Sequence, residues 1–195
     1  QLAAIFNAFG SQVTVLDVAP RILTVEDSLV SQAMAEAFAR RGIDVVVGIG
    51  GIERIGRAGG ELALVYKQGD EVATLQAEAV VLSTGWLGNL DGLNLAAAGV
   101  ETNGRYVVAD NTGRTSARHI FTCGDIDGRM MLVQSAGYEA RIAAENAVLD
   151  GAGRQEHQIV PHGGFTNPEY ASVGPTEEQA RQERGCVVAV VPYTD

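Results

Sequence analysis

The sequence predicts an α/β fold whose first part is a doubly wound, Rossmann-like domain, and three observations support this prediction. Helical and strand-like hydrophobic patterns alternate over the first 47 residues. Residues 52–76 then change to short stretches in which apolar and polar side chains alternate. A later strand-like run ends in a Gly-Asp pair and leads to an alanine-rich helix. Alternating strands and helices are typical of sheets that are covered by helices on both faces.

The opening segments follow the order helix, strand, helix, strand. They occupy residues 1–10, 13–17, 28–41 and 45–47. Gly10 suits the position just after a helix, and Asp27 and Ser28 are N-cap candidates for the second helix. Both strands are short, apolar and β-branched, which is typical of buried parallel strands. Asp17 lies where the first strand ends.

The rest of the chain predicts a β-meander, further strands and a long helix. Gly59-Gly60 and Gly69-Asp70 mark the turns between the alternating stretches of the meander. Three later runs have strand-like patterns, at residues 79–84, 106–110 and 119–123. Residues 131–149 are mostly helical, with alanine side chains that permit close packing. The polar stretch 150–158 predicts a linker.

Composition argues against several classes of protein. The chain has 195 residues and a net charge of −10, so it lacks the clustered cations of a nucleic-acid binder. Cys123 and Cys186 form neither a CxxC nor a CxxxxC pair, and we expect no metal site. No apolar run approaches about 18 residues, so we expect no membrane anchor. Because the two cysteines indicate no disulfide framework, we expect a reducing, cytoplasmic setting. Gln1 opens directly into a helical pattern, and we expect the chain to be an internal piece of a longer protein.

Two acidic positions could bind a nucleotide. Asp17 ends a strand where a carboxylate can accept hydrogen bonds from ribose hydroxyls, although strands also end in ordinary acids. Gly124-Asp125 ends an apolar run ahead of the alanine-rich helix. Glycine lets a ligand approach the backbone, aspartate can bind sugar hydroxyls, and a helix N-terminus offers donors to anions. Such turns also occur for packing alone, so the residues by themselves leave both interpretations open.

Three segments resemble one protein family, in the order in which that family has them. ARHIFTCGDIDGRMMLVQSAGYEARIAAENAV resembles the second FAD-binding motif of the pyridine nucleotide-disulfide oxidoreductases, which include dihydrolipoyl dehydrogenase, glutathione reductase and mercuric reductase. AAIFNAFGSQVTVLDVAPRIL is similar to the stretch after the family's NAD-binding glycine motif. FTNPEYASVGPTEEQAR is similar to the opening of its dimerisation domain.

This resemblance implies three domains. Residues 1–80 are expected to form a Rossmann-like NAD-binding domain with its β-meander, without the first strand and the glycine motif. Residues 81–155 are expected to be the returning part of a second, FAD-binding Rossmann-like domain. Residues 156–195 are expected to begin an α+β dimerisation domain, which implies a homodimer for the intact protein.

The resemblance also implies two groups of FAD-binding residues. The Gly124-Asp125 pair is expected at the ribityl chain. Backbone donors to the flavin pyrimidine ring are expected at Met131, Leu132, Val133 and Gln134. Family members usually carry His where this chain has Gln134, so that contact differs. Cys123 is expected to be a buried strand thiol rather than a redox centre.

On the NAD side, the resemblance implies three contacts. Asp17 matches the acidic residue that selects NAD, Gly85 matches the glycine that NAD passes, and Ile52 matches an apolar residue beside the adenine. Two positions depart from the family pattern. Gln1 replaces a glutamate near the nicotinamide, and Trp86 replaces an arginine.

The implied activity is electron transfer from NADH to FAD, then to a redox disulfide and a small-molecule or disulfide substrate. In the family layout the disulfide and the acid-base His-Glu pair lie outside residues 1–195, so we expect no catalytic residue here. His119, His157 and His162 do not match that histidine and are expected at the surface or at strand edges. The alternatives are a soluble pyridine nucleotide transhydrogenase, a mercuric reductase and a catalytically silent nucleotide-binding fragment.

Overall fold

The structure is a computed structural model that describes residues 1–149, 151, 153–155, 159–183 and 185–191. The chain divides into two compact units, each of which is described by itself. The first unit contains residues 1–82 and 161–195, and the second contains residues 83–160. The predicted domain bounds at 80 and 155 stay a prediction.

A β-α-β arrangement begins the first unit. Helix α1 (Leu2–Ala8) is followed by strand β1 (Val13–Asp17), helix α2 (Ser28–Arg40) and strand β2 (Ile43–Val47). The two strands pair in parallel, with Val13 opposite Ile43. A parallel pair needs a crossover, and α2 supplies it. The predicted order of helix, strand, helix and strand is therefore confirmed.

Both faces of this two-stranded sheet contribute to a core. On one face the buried side chains of α2 and β2 pack against Val13, Val15, Val45 and Val47. On the other face, Leu16 and Val46 pack against a second buried cluster. Successive side chains of a strand point to opposite faces, so a strand buried on both sides is apolar throughout. This agrees with the mainly apolar sequences of the two strands, VTVLD and IDVVV.

The β-meander is confirmed. Strands β3 (Gly51–Ala58), β4 (Glu61–Gln68) and β5 (Glu71–Ala77) form an antiparallel sheet in that order. Two-residue turns at Gly59-Gly60 and Gly69-Asp70 connect them. In these turns Gly59, Gly60 and Gly69 adopt positive φ angles, which glycine accepts without steric cost.

The last part of the first unit docks on the start of α2. It contains strands β6 (His162–Gly164) and β7 (Tyr170–Ser172) and helix α4 (Glu177–Glu183). Glu26 is 2% exposed, and its carboxylate accepts a hydrogen bond from the hydroxyl of Ser172. His162 Nε2 lies 3.1 Å from the other oxygen of the same carboxylate.

Asp27 precedes α2 as predicted but does not cap it with its side chain. Its Oδ1 accepts the N–H of Glu177 at 2.7 Å, so it caps α4 instead. Burial and the nearby charge of Glu26 raise the pKa of Tyr170 above its usual value.

The second unit contains a 3₁₀ turn (Gly124–Asp127) and helix α3 (Val133–Leu149). The predicted strands 106–110 and 119–123 are wrong, because they make only isolated bridges. Neighbouring backbone donors there bond to different segments: Val107 donates to Ile126, whereas Val108 donates to Glu101. A strand needs one continuous partner, and neither run has one.

The predicted strand 79–84 is also wrong, since the structure assigns no regular element to it. Val81 and Leu82 are 54% and 69% exposed, and within the described chain no other segment exchanges backbone hydrogen bonds with this run. An apolar, β-branched run becomes a strand only where a neighbouring strand accepts and donates its backbone bonds.

Candidate cofactor sites

Asp17 lies at the carboxyl end of β1, the edge where parallel sheets bind ligands. Its Oδ1 accepts the N–H of Ala19 at 2.9 Å, which fixes the orientation of the half-buried carboxylate. Among the described residues nothing donates to Oδ2. One carboxylate oxygen is therefore oriented and available to ribose hydroxyls.

The connection from β2 to β3 lies against the same strand end. Gly48 donates its N–H to the carbonyl of Ala19 at 2.7 Å, and Ile49 donates to the carbonyl of Asp17 at 3.2 Å. Ile52 follows as the second residue of β3 and is 43% exposed. The structure thus brings Asp17 together with the segment that leads into Ile52.

Arg21 belongs to the loop that follows Asp17 and is a residue that sequence reasoning missed. Its guanidinium donates to the carbonyls of Leu23, Thr24 and Glu26 at 2.9–3.1 Å. These bonds fold the loop back on itself and hold Leu23 at a positive φ of 53°. Because the cation bonds to three backbone oxygens, it is not directed at a ligand phosphate.

Gly85 lies in the second unit and adopts φ +103°, a conformation that favours glycine. The next residue, Trp86, is 74% exposed, and its carbonyl accepts the hydroxyl of Tyr106 at 2.7 Å. Gly88 then donates its N–H to the carbonyl of Arg105 at 2.9 Å. Two hydrogen bonds therefore hold the backbone that follows Gly85.

The Gly124-Asp125 pair begins the 3₁₀ turn, after Cys123 in extended conformation. Gly124 is buried with φ +74°, and a Cβ added to it would lie 3.1 Å from the Cβ of Ala136. Its N–H donates to Oε2 of Glu139 at 2.5 Å. Only a glycine accepts this backbone conformation at this distance from α3 without strain.

The side chain of Asp125 projects from this turn with its carboxylate available. The residue is exposed, and within the described part of the chain its carboxylate accepts no hydrogen bond. A free carboxylate beside a closely packed glycine is suited to bind the hydroxyls of a sugar or polyol.

Helix α3 begins next to this turn, and the four remaining predicted residues lie at its start. Met131 and Leu132 precede the helix, and Val133 and Gln134 are its first two residues. The N–H of Ala136 makes the first bond along the helix, to the carbonyl of Leu132 at 3.0 Å. The N–H of Leu132 donates to the carbonyl of Met130 at 2.9 Å. The N-terminal end of a helix carries partial positive charge and favours an electronegative ligand.

Two further observations concern the turn and the first turn of α3 beside it. A Cβ at Gly124 would lie 3.1 Å from that of Ala136, so a glycine permits the close packing of the turn on α3. The hydroxyl of Ser135 is buried without a hydrogen-bond partner among the described residues, although buried hydroxyls are normally bonded. The first turn of α3 therefore keeps hydrogen-bonding capacity that the described chain does not use.

Cysteine, histidine and glutamate positions in the second half of the chain complete the comparison with the sequence analysis. Cys123 is exposed, not a buried strand thiol, because the run that contains it forms no strand. His119 is exposed, His162 starts β6 against Glu26, and His157 lies outside the described residues. The sequence analysis did not identify Glu139 as a partner of the turn. The available signal was an acidic residue on the same face of the helix as the apolar Ile142.

Other kinds of site receive no support from the described residues. They contain no group of three or more His, Cys, Asp or Glu side chains that could hold a metal ion. No helix among them is both long and apolar enough to cross a membrane.

Known proteins resemble this chain in both sequence and fold. The dihydrolipoyl dehydrogenase of Chlorobaculum tepidum is 34% identical over 180 residues, which cover 92% of this chain and 38% of that protein. The mercuric reductase of Lysinibacillus sphaericus is 32% identical over 185 residues, which cover 94% of this chain and 34% of that protein. The chain thus spans little more than a third of the length of these two relatives.

Among solved structures, the HOCl-induced flavoprotein disulfide reductase RclA from Escherichia coli matches 94% of this chain and 41% of its own, with a TM-score of 0.83 and 27% identity. LpdA from Mycobacterium tuberculosis matches 93% of this chain and 39% of its own, with a TM-score of 0.83 and 25% identity. These likenesses support an α/β fold for the chain.

A family model also matches most of the sequence. It covers residues 1–140 and describes the pyridine nucleotide-disulphide oxidoreductases. This is a family of oxidoreductases whose cofactors are FAD and a nicotinamide nucleotide. The chain belongs to the pyridine nucleotide-disulphide oxidoreductase family.

Proposed function

We propose that the protein that carries this chain passes electrons between NADH and a disulfide or dithiol through FAD, in the manner of a dihydrolipoyl dehydrogenase. The Gly124-Asp125 turn beside the start of α3 carries this proposal. It combines a glycine packed closely on α3, an exposed carboxylate that accepts no hydrogen bond from the described residues, and the N-terminal end of α3. FAD, when bound, supplies the electron relay, and the chain supplies binding and orientation.

On the FAD side, each residue has a distinct role. Asp125 accepts hydrogen bonds from the ribityl hydroxyls, and Gly124 allows the close approach of that chain. The backbone N–H groups of Met131, Val133 and Gln134 would donate to the pyrimidine ring, and that of Leu132 would first have to give up its bond to the carbonyl of Met130. The positive end of the α3 dipole would favour a negatively charged or electronegative part of the cofactor at this position.

On the NAD side, Asp17 accepts the ribose hydroxyls and repels a 2′-phosphate, which favours NAD over NADP. Ile52 contacts the adenine, and Gly85 lets the cofactor pass close to the backbone. Arg21 supports this preference, because its guanidinium is bonded to three carbonyls and does not offer a cation to a phosphate.

The same proposal covers domain organisation and assembly. Residues 1–80 belong to the NAD-binding domain, 81–155 to the FAD-binding domain, and 156–195 to a dimerisation domain of a homodimer. The family likeness supports this division. The cytoplasmic setting stays a prediction that rests on cysteine usage.

The visible spectrum and NADH oxidation of the purified protein test the proposed function. A flavin band near about 450 nm that is bleached by NADH is the expected result, since the bound cofactor carries the chemistry. A colourless protein that neither takes up added FAD nor oxidises NADH would contradict the proposal. That result would favour the alternative of a catalytically silent nucleotide-binding fragment. Mercury(II) as the preferred acceptor, over a disulfide, would identify a mercuric reductase instead.

A soluble pyridine nucleotide transhydrogenase is the second candidate. The segment GWLGNLDGL keeps the Gly-Asn-x-Asp spacing that resembles this branch, and Trp86 replaces the more common arginine. A redox-active CxxxxC disulfide in the protein that carries this chain would exclude the candidate. Hydride transfer from NADPH to an NAD analogue without any thiol would support it.

A further inference from the structure

The backbone N–H of Gly124 is buried, and no acceptor from its sequence neighbours in the described chain bonds to it. The residue adopts φ +74° and packs on Ala136 of α3. Its N–H donates instead to Oε2 of Glu139, 15 residues further along, at 2.5 Å. Because a buried amide without an acceptor is costly, this single bond matters for the conformation of the turn.

Glu139 is fully buried, with 0% of its surface exposed. Glutamate is almost never fully buried unless a partner compensates for the lost hydration of its charge. An apolar side chain would fill this position without that cost. The carboxylate is therefore explained by what it binds, and a charge-assisted bond to a backbone N–H is stronger than a neutral one.

Glu139 connects helix α3 with the Gly124-Asp125 turn. Its side chain holds the turn that contains Asp125, and its backbone belongs to α3, which begins with the predicted donors to the flavin. Ser135, one helical turn earlier, is also buried, at 1% exposed. The buried face of α3 thus includes Ser135 near the helix start and Glu139, whose carboxylate holds the turn that contains Asp125.

We propose that Glu139 is a positioning residue of the FAD site. Its carboxylate fixes the Gly124 amide and thereby holds the Asp125 carboxylate where the ribityl hydroxyls bind. Glu139 itself does not contact the cofactor. The inference rests on the proposed function, because it assumes that Asp125 binds FAD.

FAD titration of the apoprotein of the whole protein that carries this chain tests the inference. Glu139→Leu is expected to weaken FAD binding about 10- to 100-fold, the range of a lost charge-assisted hydrogen bond. Glu139→Gln keeps an acceptor oxygen and is expected to restore affinity to within about threefold of wild type. A Glu139→Gln protein that binds FAD as poorly as Glu139→Leu would overturn the inference.

Ile142→Ala is the matched control, because it removes a buried side chain one turn along the same helix. It is expected to lower the melting temperature at least as much as Glu139→Leu, yet to leave FAD affinity within about threefold. Equal losses of FAD affinity in both variants would mean that Glu139 acts through helix stability alone, which contradicts the inference.

A double-mutant cycle shows whether Glu139 affects FAD affinity through Asp125 or independently of it. If Glu139 acts through Asp125, adding Glu139→Leu to Asp125→Ala costs less than about threefold in FAD affinity, because the positioned group is already gone. Fully multiplicative losses would overturn the inference. A wild-type protein that does not bind FAD would instead refute the proposed function, so the two failures are distinguishable.

Amide exchange in the apoprotein keeps the test decisive if Glu139→Leu does not fold. In Glu139→Gln the neutral acceptor is weaker, so the Gly124 amide is expected to exchange about tenfold faster than in wild type. Amides in the second half of α3 are the internal control and should be unchanged. Unaltered exchange at Gly124 would contradict the assigned bond.

Discussion

Asp17 and Asp125 are both proposed to bind sugar hydroxyls, yet the structure holds them in different ways. Asp17 ends a strand that is paired along its length, and its carboxylate is oriented by the N–H of Ala19, only two residues away. Asp125 follows no strand, and its turn is fixed by Glu139 from the neighbouring helix.

The difference separates local from tertiary organisation of a binding residue. The carboxylate of Asp17 is oriented from two residues away by the N–H of Ala19, and the backbone at this strand end bonds to β2 and to the segment that follows it. The orientation of Asp125 depends on α3 remaining packed beneath the turn. Variants that disturb packing far from Asp17 should therefore weaken FAD binding where they loosen α3, but should leave the preference for NADH over NADPH unchanged.

Gly124→Ala is expected to have the largest effect on stability and FAD binding, because Gly124 is the residue by which the turn packs on α3. A non-glycine residue at φ +74° is strained by about 1–3 kcal/mol, and its Cβ would also press on Ala136. We expect the unfolding free energy to fall by at least this amount, measured by urea denaturation, together with loss of bound FAD.

Gly137→Ala is the matched control for that prediction. Gly137 lies inside α3, and a Cβ added there meets nothing within 4 Å. Alanine has the higher helix propensity, so this variant should be stabilised by up to about 1 kcal/mol. An equal loss of stability in the two variants would refute the special role of position 124.

Glu26→Ala tests whether the Asp17 site is local. The variant removes the buried partner of His162 and Ser172, and we expect about 2–3 kcal/mol of destabilisation. The ratio of kcat/KM for NADH and NADPH should nevertheless stay within about twofold of wild type. Glu36→Ala, which removes an exposed pair with Arg40, should cost less than about 1 kcal/mol. A changed nucleotide preference in Glu26→Ala would mean that the Asp17 site depends on distant packing.

Asp17→Ala should shift nucleotide preference toward NADPH. Loss of the carboxylate removes both the ribose acceptor and the repulsion of a 2′-phosphate, and we expect about a tenfold change, equivalent to about 1.4 kcal/mol. The measurement is the ratio of kcat/KM for the two nucleotides. Stability should change little, because the removed bond is a local one to Ala19. An unaltered ratio would refute the assigned role.

Substitution of Asp110 is expected to have the smallest effect on stability. Like Asp17, this carboxylate is oriented by residues that lie close to it in the sequence. Burial raises the pKa of this carboxyl, but hydrogen bonds from Thr112 and Arg114 outweigh it and hold the pKa below its usual range. A lowered pKa in the folded state stabilises the protein above the unfolded value of about 4, and this contribution is lost as pH falls through the folded pKa.

Since Asp110 is exposed, solvent screening keeps its contribution under about 1 kcal/mol. Asp110→Ala should therefore be slightly less stable than wild type at pH 6, with a smaller difference near pH 3, as urea denaturation can show. A difference that grows toward acid pH would have the wrong sign for this account.

Sequence patterns predicted the elements whose causes are local. The helical spacing of residues 1–10 and the alternation of the meander depend on neighbouring side chains and turn glycines, and both were confirmed. The run 79–84 has equally strong strand character but forms no strand, because pairing depends on a partner that periodicity does not reveal.

The candidate sites show the same limit. A strand-terminal acid and a Gly-Asp pair were visible in the sequence, and the family resemblance gave them roles. The sequence did not reveal that Glu139 reaches back to Gly124, or that Arg21 bonds to three carbonyls. Both contacts join residues whose approach is decided by tertiary packing.

The dissociation constant of FAD in Asp125→Ala tests the central claim most directly. Loss of the carboxylate is expected to weaken binding by about 1.5–3 kcal/mol, the range for hydrogen bonds to a charged group. Glu145→Ala, which removes an exposed acid from α3, is the control for charge and should bind FAD as wild type does. FAD affinity in Asp125→Ala equal to that of this control would contradict the account.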